Sequence, residues 1–277
     1  MKYVSLFVVV LAINAFVTGC NDQPAATTDT PKADSVVLKE ENVNYTADTA
    51  KLVGFVAYNE AITQPRPAVL VIPEWWGMTE YPKMRARQLA SLGYIALVAD
   101  MYGNGAVADS PSLAGKLATP FYTDSKLAAS RFMAALNILK SYPQADTTKI
   151  AAIGYCFGGS IVLNAAKMGA PVKGVVSFHG DLRGVPADKN LLKAKILVCH
   201  GLADSFVPQE QVDAFKKQMD SIGADYTFKA YADATHAFTN PGATATGQRF
   251  NMPIKYNAAA DTASWKDMQD FFGRIFK

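Results

Sequence analysis

The sequence has no long run of lysine or arginine. Its 27 basic residues are nearly balanced by 24 acidic residues, which leaves a formal net charge of +3 over 277 residues. A nucleic-acid-binding protein usually carries a concentrated basic patch, and the composition gives no sign of one. The sequence also contains no internal repeat and no Cys-x-x-Cys pair, which disfavours a thiol redox protein. These absences favour an ordinary globular protein that acts on a small molecule.

The N-terminal residues form a targeting pattern. Lys2 is followed by an apolar run over 3–17 and then by Val-Thr-Gly-Cys at 17–20. The run is shorter than the roughly 20 residues of a membrane span, so residues 1–19 are interpreted as an export signal. Small residues directly before a cysteine resemble the lipobox of bacterial lipoproteins, which implies a lipid on Cys20 and a membrane-anchored protein of the cell envelope. An ordinary cleaved signal with a coincidental cysteine is the alternative.

Residues 20–35 are rich in threonine, alanine, aspartate and proline, which predicts a flexible tether. The folded domain is expected over 36–277. Strands are predicted from apolar runs over 52–58, 68–72, 94–99, 150–153, 172–178, 196–199 and 226–231, and helices over 81–92, 122–141, 159–168, 208–222 and 258–276. Strands that are apolar throughout are typical of a mostly parallel sheet covered by helices on both faces, in an α/β domain.

The segment 154–158, Gly-Tyr-Cys-Phe-Gly, lies between a predicted strand and a predicted helix. It has the form of a nucleophile elbow, in which the central residue projects from a tight turn and flanking glycines avoid collisions. The segment lacks the lysine of a phosphate-binding loop and the spacing of a dinucleotide-binding loop. We therefore predict that Cys156 is a nucleophile, whose thiolate is favoured by the start of the following helix. Glycines that serve only strand–helix packing are the structural alternative.

A cysteine nucleophile needs a base, and the order nucleophile, acid, histidine is typical of α/β-hydrolases. His236 follows the last predicted strand and is the expected base. Asp204 follows an apolar strand and is the expected acid, which would orient the imidazole. Asp181, Asp188 and Asp233 are weaker candidates for the acid, and a turn or capping role for Asp204 is the alternative.

The remaining cysteine and histidines are assigned less active roles. Cys199 ends an apolar strand and is expected to be a buried structural residue, although it could pair with Cys156 in an oxidising compartment. His200 is expected to be packed, since an adjacent Cys-His pair is a poor metal site. His179 follows a strand and is a candidate pocket residue. No metal site is predicted.

Five segments together resemble the dienelactone hydrolase family. They are Pro-Glu-Trp-Trp-Gly at 73–77, Ala-Asp-Met-Tyr-Gly at 99–103, Gly-Tyr-Cys-Phe-Gly-Gly at 154–159, Gly-Leu-Ala-Asp at 201–204 and His-Ala-Phe at 236–238. The resemblance implies an α/β-hydrolase fold and a triad of Cys156, His236 and Asp204 without metal or organic cofactor. It also implies an oxyanion hole from the backbone N–H groups of Trp75 and Phe157, and a contact between Glu74 and the resting thiol.

One departure from the family concerns the substrate. Dienelactone hydrolases hold the substrate carboxylate with two arginines, and Asn104 and Asn240 stand at those positions. An asparagine lacks the charged fork that arginine offers a carboxylate. The expected substrate is therefore not the dienelactone itself, and Trp75, Trp76, Phe157 and Phe238 suggest a more apolar or aromatic ester. The expected pocket residues, besides His179, are Trp76, Tyr102, Asn104, Phe238 and Asn240. A catalytically silent, lipid-anchored binding protein on the same fold is the alternative function.

Overall fold

The computed structural model describes residues 36–277, so the predicted signal peptide, Cys20 and tether lie outside the described residues. The strands are β1 (Leu38–Ala47), β2 (Ala50–Asn59), β3 (Arg66–Ile72), β4 (Ile95–Val98), β5 (Ala145–Tyr155), β6 (Gly174–Phe178), β7 (Lys195–Gly201) and β8 (Tyr226–Tyr231). The helices are α1 (Glu80–Ser91), α2 (Pro111–Thr123), α3 (Ser125–Ser141), α4 (Phe157–Lys167), α5 (Gln209–Ser221), α6 (Ala243–Phe250) and α7 (Ala258–Ile275).

All eight strands form one sheet, in the order β1-β2-β4-β3-β5-β6-β7-β8. The strands from β4 to β8 along this order run parallel. The β1–β2 hairpin lies at one edge, with β2 antiparallel to β4. This arrangement confirms the predicted mostly parallel sheet.

Helices cover both faces of the sheet because the central strands are apolar on both faces. In β3, Ala68, Leu70 and Ile72 pack on the side of α2, α3, α4 and α5. Val69 and Val71 pack on the opposite side, against residues of α1 and α7. Side chains alternate between the faces of a strand, so an uninterrupted apolar run supplies two cores at once.

Three elements were not predicted, namely β1, α2 and α6. The strand β1 has the largely polar sequence LKEENVNYTA, as an edge strand with a half-solvated surface permits. The helix α2 contains Gly115 and Pro120, which both disfavour a helix in sequence. The helix predicted over 122–141 begins only at Ser125, because the Asp124 side chain accepts hydrogen bonds from the backbone N–H groups of residues 126 and 127 and caps it.

The sheet order places a crevice beside β3. The chain passes from β3 to β4 on one side and then to β5 on the other side of β3. Loops that leave the carboxyl ends of β3 and β5 therefore diverge, and ligands bind at such points in α/β sheets. Trp75 follows β3 and Cys156 follows β5 at this crevice. Within residues 36–277, no helix is long and apolar enough to cross a bilayer.

Candidate active site

Cys156 occupies a sharp turn between β5 and α4. Its φ angle is +53°, a left-handed value that is unfavourable for a residue with a side chain. The turn is held by the Cys156 N–H, which donates to the Phe178 carbonyl at 3.0 Å and to His179 Nδ1 at 3.1 Å. The half-buried thiol thus sits at the N-terminus of α4, the positive end of the helix dipole.

The turn requires glycine at positions 154 and 158, because a Cβ atom at either position would collide with neighbouring backbone. A Cβ atom on Gly154 would lie 2.0 Å from the carbonyl oxygen of Gly158. A Cβ atom on Gly158 would lie 2.2 Å from the carbonyl oxygen of Ile72, on the neighbouring strand β3. Both contacts involve backbone that cannot move aside without displacing β3 or α4. The spacing Gly-x-Cys-x-Gly therefore reflects close backbone approach at this turn.

His236 and Asp204 come together from the loops after β8 and β7. The His236 Nδ1 atom lies 2.8 Å from Asp204 Oδ2, and both side chains are buried. This bond assigns the proton on Nδ1 to the Asp204 side and leaves Nε2 free to exchange a proton with another group. The structure thus brings together the two residues that the order of motifs had paired.

Cys156 also affects the pKa of His236. Burial by itself lowers the pKa of His236, but the charge of Cys156 and the hydrogen bond with Asp204 raise this pKa well above the usual range. A cationic imidazole next to a thiolate is the ion pair that activates a cysteine nucleophile. Cys156 and His236 line the same cavity.

His179 lies behind the nucleophile instead of in the pocket. Its ring is almost fully buried, and its Nε2 atom lies 2.7 Å from the Thr239 hydroxyl. Burial, followed by the nearby charges of His236 and Arg85, holds the pKa of His179 well below the usual range. The ring is therefore neutral: Nδ1 accepts from Cys156 and Nε2–H donates to Thr239. The expectation that His179 lines the pocket is wrong, since its ring supports the turn from the core.

Glu74 has a different partner from the one expected. Its buried carboxylate accepts a hydrogen bond from the Asn240 amide, at 2.7 Å, and no hydrogen bond joins it to Cys156 in the described chain. Burial raises the pKa of Glu74 to about 7, although Asn240 and the charges of His236 and Arg85 oppose the shift. The predicted thiol contact is thus replaced by a Glu74–Asn240 pair.

The backbone N–H groups of Trp75 and Phe157 are the predicted oxyanion donors. Within residues 36–277, neither group donates a hydrogen bond to a protein acceptor. Phe157 is the first residue of α4, whose N–H has no partner inside the helix. The Tyr102 hydroxyl donates to the Trp75 carbonyl at 2.9 Å and so holds the Trp75 peptide in place. Both N–H groups are therefore without a protein acceptor in the described chain, and Phe157 directly follows Cys156.

A cavity of about 460 Å³ opens over Cys156 and His236. Apolar atoms make up most of its wall, which suits an apolar ligand. The lining residues are Trp75, Tyr122, Cys156, Ser160, Asn164, Asp181, Arg183, Gly184, Phe206, Val207, His236, Met252 and Ile254.

The predicted pocket residues other than His179 also fail to line this cavity. Asn104 is exposed, and its backbone N–H bonds to the Lys51 carbonyl. Trp76 stacks on Phe250 with ring centroids 6.0 Å apart. Tyr102 and Asn240 hold Trp75 and Glu74 through the hydrogen bonds given above. Phe238 is a fully buried core residue. These residues were predicted because they lie close in sequence to a motif, but such closeness does not bring a side chain into the cavity.

Several cavity residues were not predicted. Tyr122 comes from the end of α2, Phe206 from the loop after β7, and Met252 from the loop after α6. These loops reach the site only through tertiary packing, so no motif marks them. Arg183 was also not predicted. Its Nε–H donates to both carboxylate oxygens of Asp181, and its Nη2–H donates to Oδ2 of the same residue.

Cys199 and His200 are packed residues, as predicted. Cys199 is fully buried, and burial raises the pKa of its thiol to about 12. Both Cys156 and Cys199 are free thiols. His200 is 5% exposed and packs against Phe228 with ring centroids 5.6 Å apart. In the described part of the chain, no three His, Cys, Asp or Glu side chains are grouped as metal ligands would be.

Comparisons with known proteins place the chain among dienelactone hydrolases. A model of the dienelactone hydrolase family matches residues 52–276. A Methylorubrum extorquens protein named "Putative carboxymethylenebutenolidase" is 30% identical over 224 residues, which cover 75% of this chain and 72% of that protein. The crystal structure of a dienelactone hydrolase-like promiscuous phosphotriesterase from metagenomic libraries is 34% identical, with a TM-score of 0.81 over 87% of this chain and 99% of that one.

A more distant structure shows the shared fold alone. The dienelactone hydrolase of Anabaena variabilis is 20% identical to this chain, with a TM-score of 0.59, and the match covers 87% of this chain and 99% of that one. The α/β-hydrolase fold expected from the sequence is therefore confirmed.

Proposed function

The chain belongs to the dienelactone hydrolase family and is a carboxylic ester or lactone hydrolase, and from this premise we propose that Cys156, His236 and Asp204 form its catalytic triad. The observation that carries the proposal is the Asp204–His236 hydrogen bond at 2.8 Å beside a thiol on the same cavity wall. In this arrangement the acid orients the base, and the base faces the nucleophile.

The reaction runs through a thioester. The Cys156 sulfur attacks the carbonyl carbon of an ester or lactone, and the carbonyl oxygen becomes an oxyanion. The N–H groups of Trp75 and Phe157 donate to this oxyanion. The C–O bond then breaks, and the alkoxide leaves with a proton from His236. His236 next takes a proton from water, which attacks the thioester, releases the carboxylic acid and restores the thiolate and imidazolium pair.

The cavity favours an uncharged substrate with an aromatic or aliphatic body. Trp75, Phe206 and Met252 supply apolar wall around the thiol. Two cations line the cavity: His236, which pairs with Cys156, and Arg183, which is bonded to Asp181. A substrate carboxylate would therefore lose its hydration here without gaining a free cationic partner.

The nucleophile is tested with a panel of neutral aryl esters. We expect Cys156→Ala to lower kcat by about 10³-fold or more, because no other group forms the thioester. Cys199→Ala is the matched control: it also removes one thiol, from the core, and leaves the site intact. The proposal fails if Cys156→Ala hydrolyses the esters as fast as the wild type.

The substrate class is tested with pairs of esters that differ only by a carboxylate on the acyl group. The neutral member is expected to have the higher kcat/KM, measured as initial rates in wild-type protein. A preference for the carboxylated member would contradict the proposed substrate class while leaving the triad in place.

We also propose that the chain is exported and held at a membrane of the cell envelope by a lipid on Cys20. The support is the sequence pattern alone, an apolar run that ends in small residues and a cysteine. The catalytic domain would then act outside the cytoplasm, on esters or lactones that reach the envelope.

A further inference from the structure

Lys167 is a buried cation that the proposed reaction does not use. It is the last residue of α4 and is 2% exposed. Within residues 36–277, no carboxylate lies within ion-pair distance of its ammonium group. The Nζ atom lies 5.6 Å from the centroid of the Phe215 ring. Lysines this buried are usually paired with a carboxylate, whereas the ammonium group of Lys167 lies over the Phe215 ring.

The charge on Lys167 is nevertheless largely present near neutral pH. Burial lowers the pKa of Lys167 to about 8, and the negative charge of Asp181 partly opposes the shift. An ammonium group that stays protonated without a counter-ion costs free energy. An anion that reached it would recover part of that cost.

Lys167 lines a second cavity, of about 490 Å³, between α4 and α5. Leu182, Pro208 and Phe215 give this Lys167 cavity apolar walls. Gln211 is 9% exposed, and its Oε1 atom accepts from the Leu182 N–H at 3.2 Å, which leaves its NH₂ group as a donor.

The other charged groups lie at the rim. Arg183 lines both this cavity and the active-site cavity, and its guanidinium is bonded to Asp181. Glu210 is exposed to solvent. The cavity therefore presents one positive charge without a carboxylate partner in the described chain, the buried amide of Gln211, the half-buried amide of Gln218, and apolar walls.

We propose that the Lys167 cavity binds a small monocarboxylate with an apolar body. The carboxylate lies at Lys167 Nζ and the Gln211 amide, and the body packs on Phe215 and Leu182. A single negative charge matches the single free cation. A phosphate, with more charge and stronger hydration, requires more donors than these side chains offer. This binding does not involve Cys156 and is independent of the proposed hydrolysis.

The test is isothermal titration calorimetry near neutral pH on the full chain, with phenylacetate as the probe and neutral phenylacetamide as its isostere. Phenylacetate is expected to bind Lys167→Met about tenfold or more weakly than wild type, because a charged hydrogen bond is lost. Lys217→Met, at an exposed lysine of the neighbouring helix α5, is the matched control and is expected to bind as the wild type does. Phenylacetamide is expected to bind weakly to all three proteins.

A second measurement needs no substitution and locates the ligand. In the NMR spectrum of ¹⁵N-labelled wild-type protein, phenylacetate is expected to shift the amide signals of Leu182 and Gln211 and to leave those of Trp75 and Phe157 unchanged. Equal phenylacetate affinity in wild type and Lys167→Met would overturn the proposal. Shifts confined to Trp75 and Phe157, or no shifts at all, would overturn it too, whether or not Lys167→Met folds.

Discussion

At the scale of single residues, Glu74 makes the stability of the protein depend on pH. Its pKa is about 7 in the folded chain and near 4.5 in a solvated one. Between these values the folded state holds the proton more tightly, so unfolding becomes easier as pH rises. The stabilising contribution of Glu74 is complete below about pH 4.5 and is lost as pH passes through 7.

Glu74→Gln is expected to remove this pH dependence, because the amide stays neutral and its oxygen still accepts from Asn240. The variant should match the wild type near pH 4 and have a free energy of unfolding about 3 kcal/mol higher above pH 8. Urea denaturation at both pH values measures the difference. Glu210→Gln, at an exposed glutamate, is the control and should show no such change. Parallel pH profiles for wild type and Glu74→Gln would contradict the prediction.

Individual residues were predictable where a motif placed them directly after a strand. Cys156, Asp204 and His236 each follow a strand of the parallel sheet, so the fold brings them to one edge. Side-chain direction was not predictable in the same way. Asn240 is four residues beyond His236 but points to buried Glu74, and Tyr122 reaches the cavity from a helix that has no motif.

At the scale of elements, the strand–turn–helix unit of β5 and α4 is expected to tolerate no side chain at Gly154. An added Cβ atom would lie 2.0 Å from the Gly158 carbonyl oxygen, so β5 and α4 would have to separate. We expect Gly154→Ala to lower the free energy of unfolding by about 3 kcal/mol or more and to displace the thiol. Thermal unfolding and esterase rates measure both effects.

Gly115→Ala supplies the matched control in another helix. Gly115 lies inside α2, and nothing is within 4 Å of an added Cβ atom. Alanine is the better helix former, so this variant should gain about 0.5–1 kcal/mol. Similar losses in Gly154→Ala and Gly115→Ala would show that the close approach at the turn is not what requires glycine.

Elements with uniform apolar sequence were predictable, and elements with mixed sequence were not. The central strands are apolar on both faces because helices cover both faces, and their uninterrupted apolar runs were recognisable in the sequence. The edge strand β1 has only one partner strand and many polar residues. The helices α2 and α6 contain glycine, and α2 also contains proline, so tertiary packing overrides weak local propensity there.

At the scale of the whole molecule, attachment to a membrane is predicted to depend on Cys20. We expect the wild-type chain to incorporate labelled fatty acid and to sediment with membranes, and Cys20→Ser to do neither. Fractionation of bacterial cells that express each protein measures this. Cys156→Ala is the control, since it changes a cysteine inside the domain and should remain with the membranes. A membrane-bound, labelled Cys20→Ser protein would contradict the lipid assignment.

The position of the two described thiols also sets how the enzyme responds to oxidants. Cys156 is half-exposed, whereas Cys199 is fully buried and holds its proton firmly. A sulfenic acid formed on Cys156 by peroxide therefore finds no resolving thiol among the described residues to trap it as a disulfide. Activity lost in brief exposure should return with a reducing thiol, and longer exposure should carry the sulfur to sulfinic and sulfonic acids, from which the enzyme does not recover.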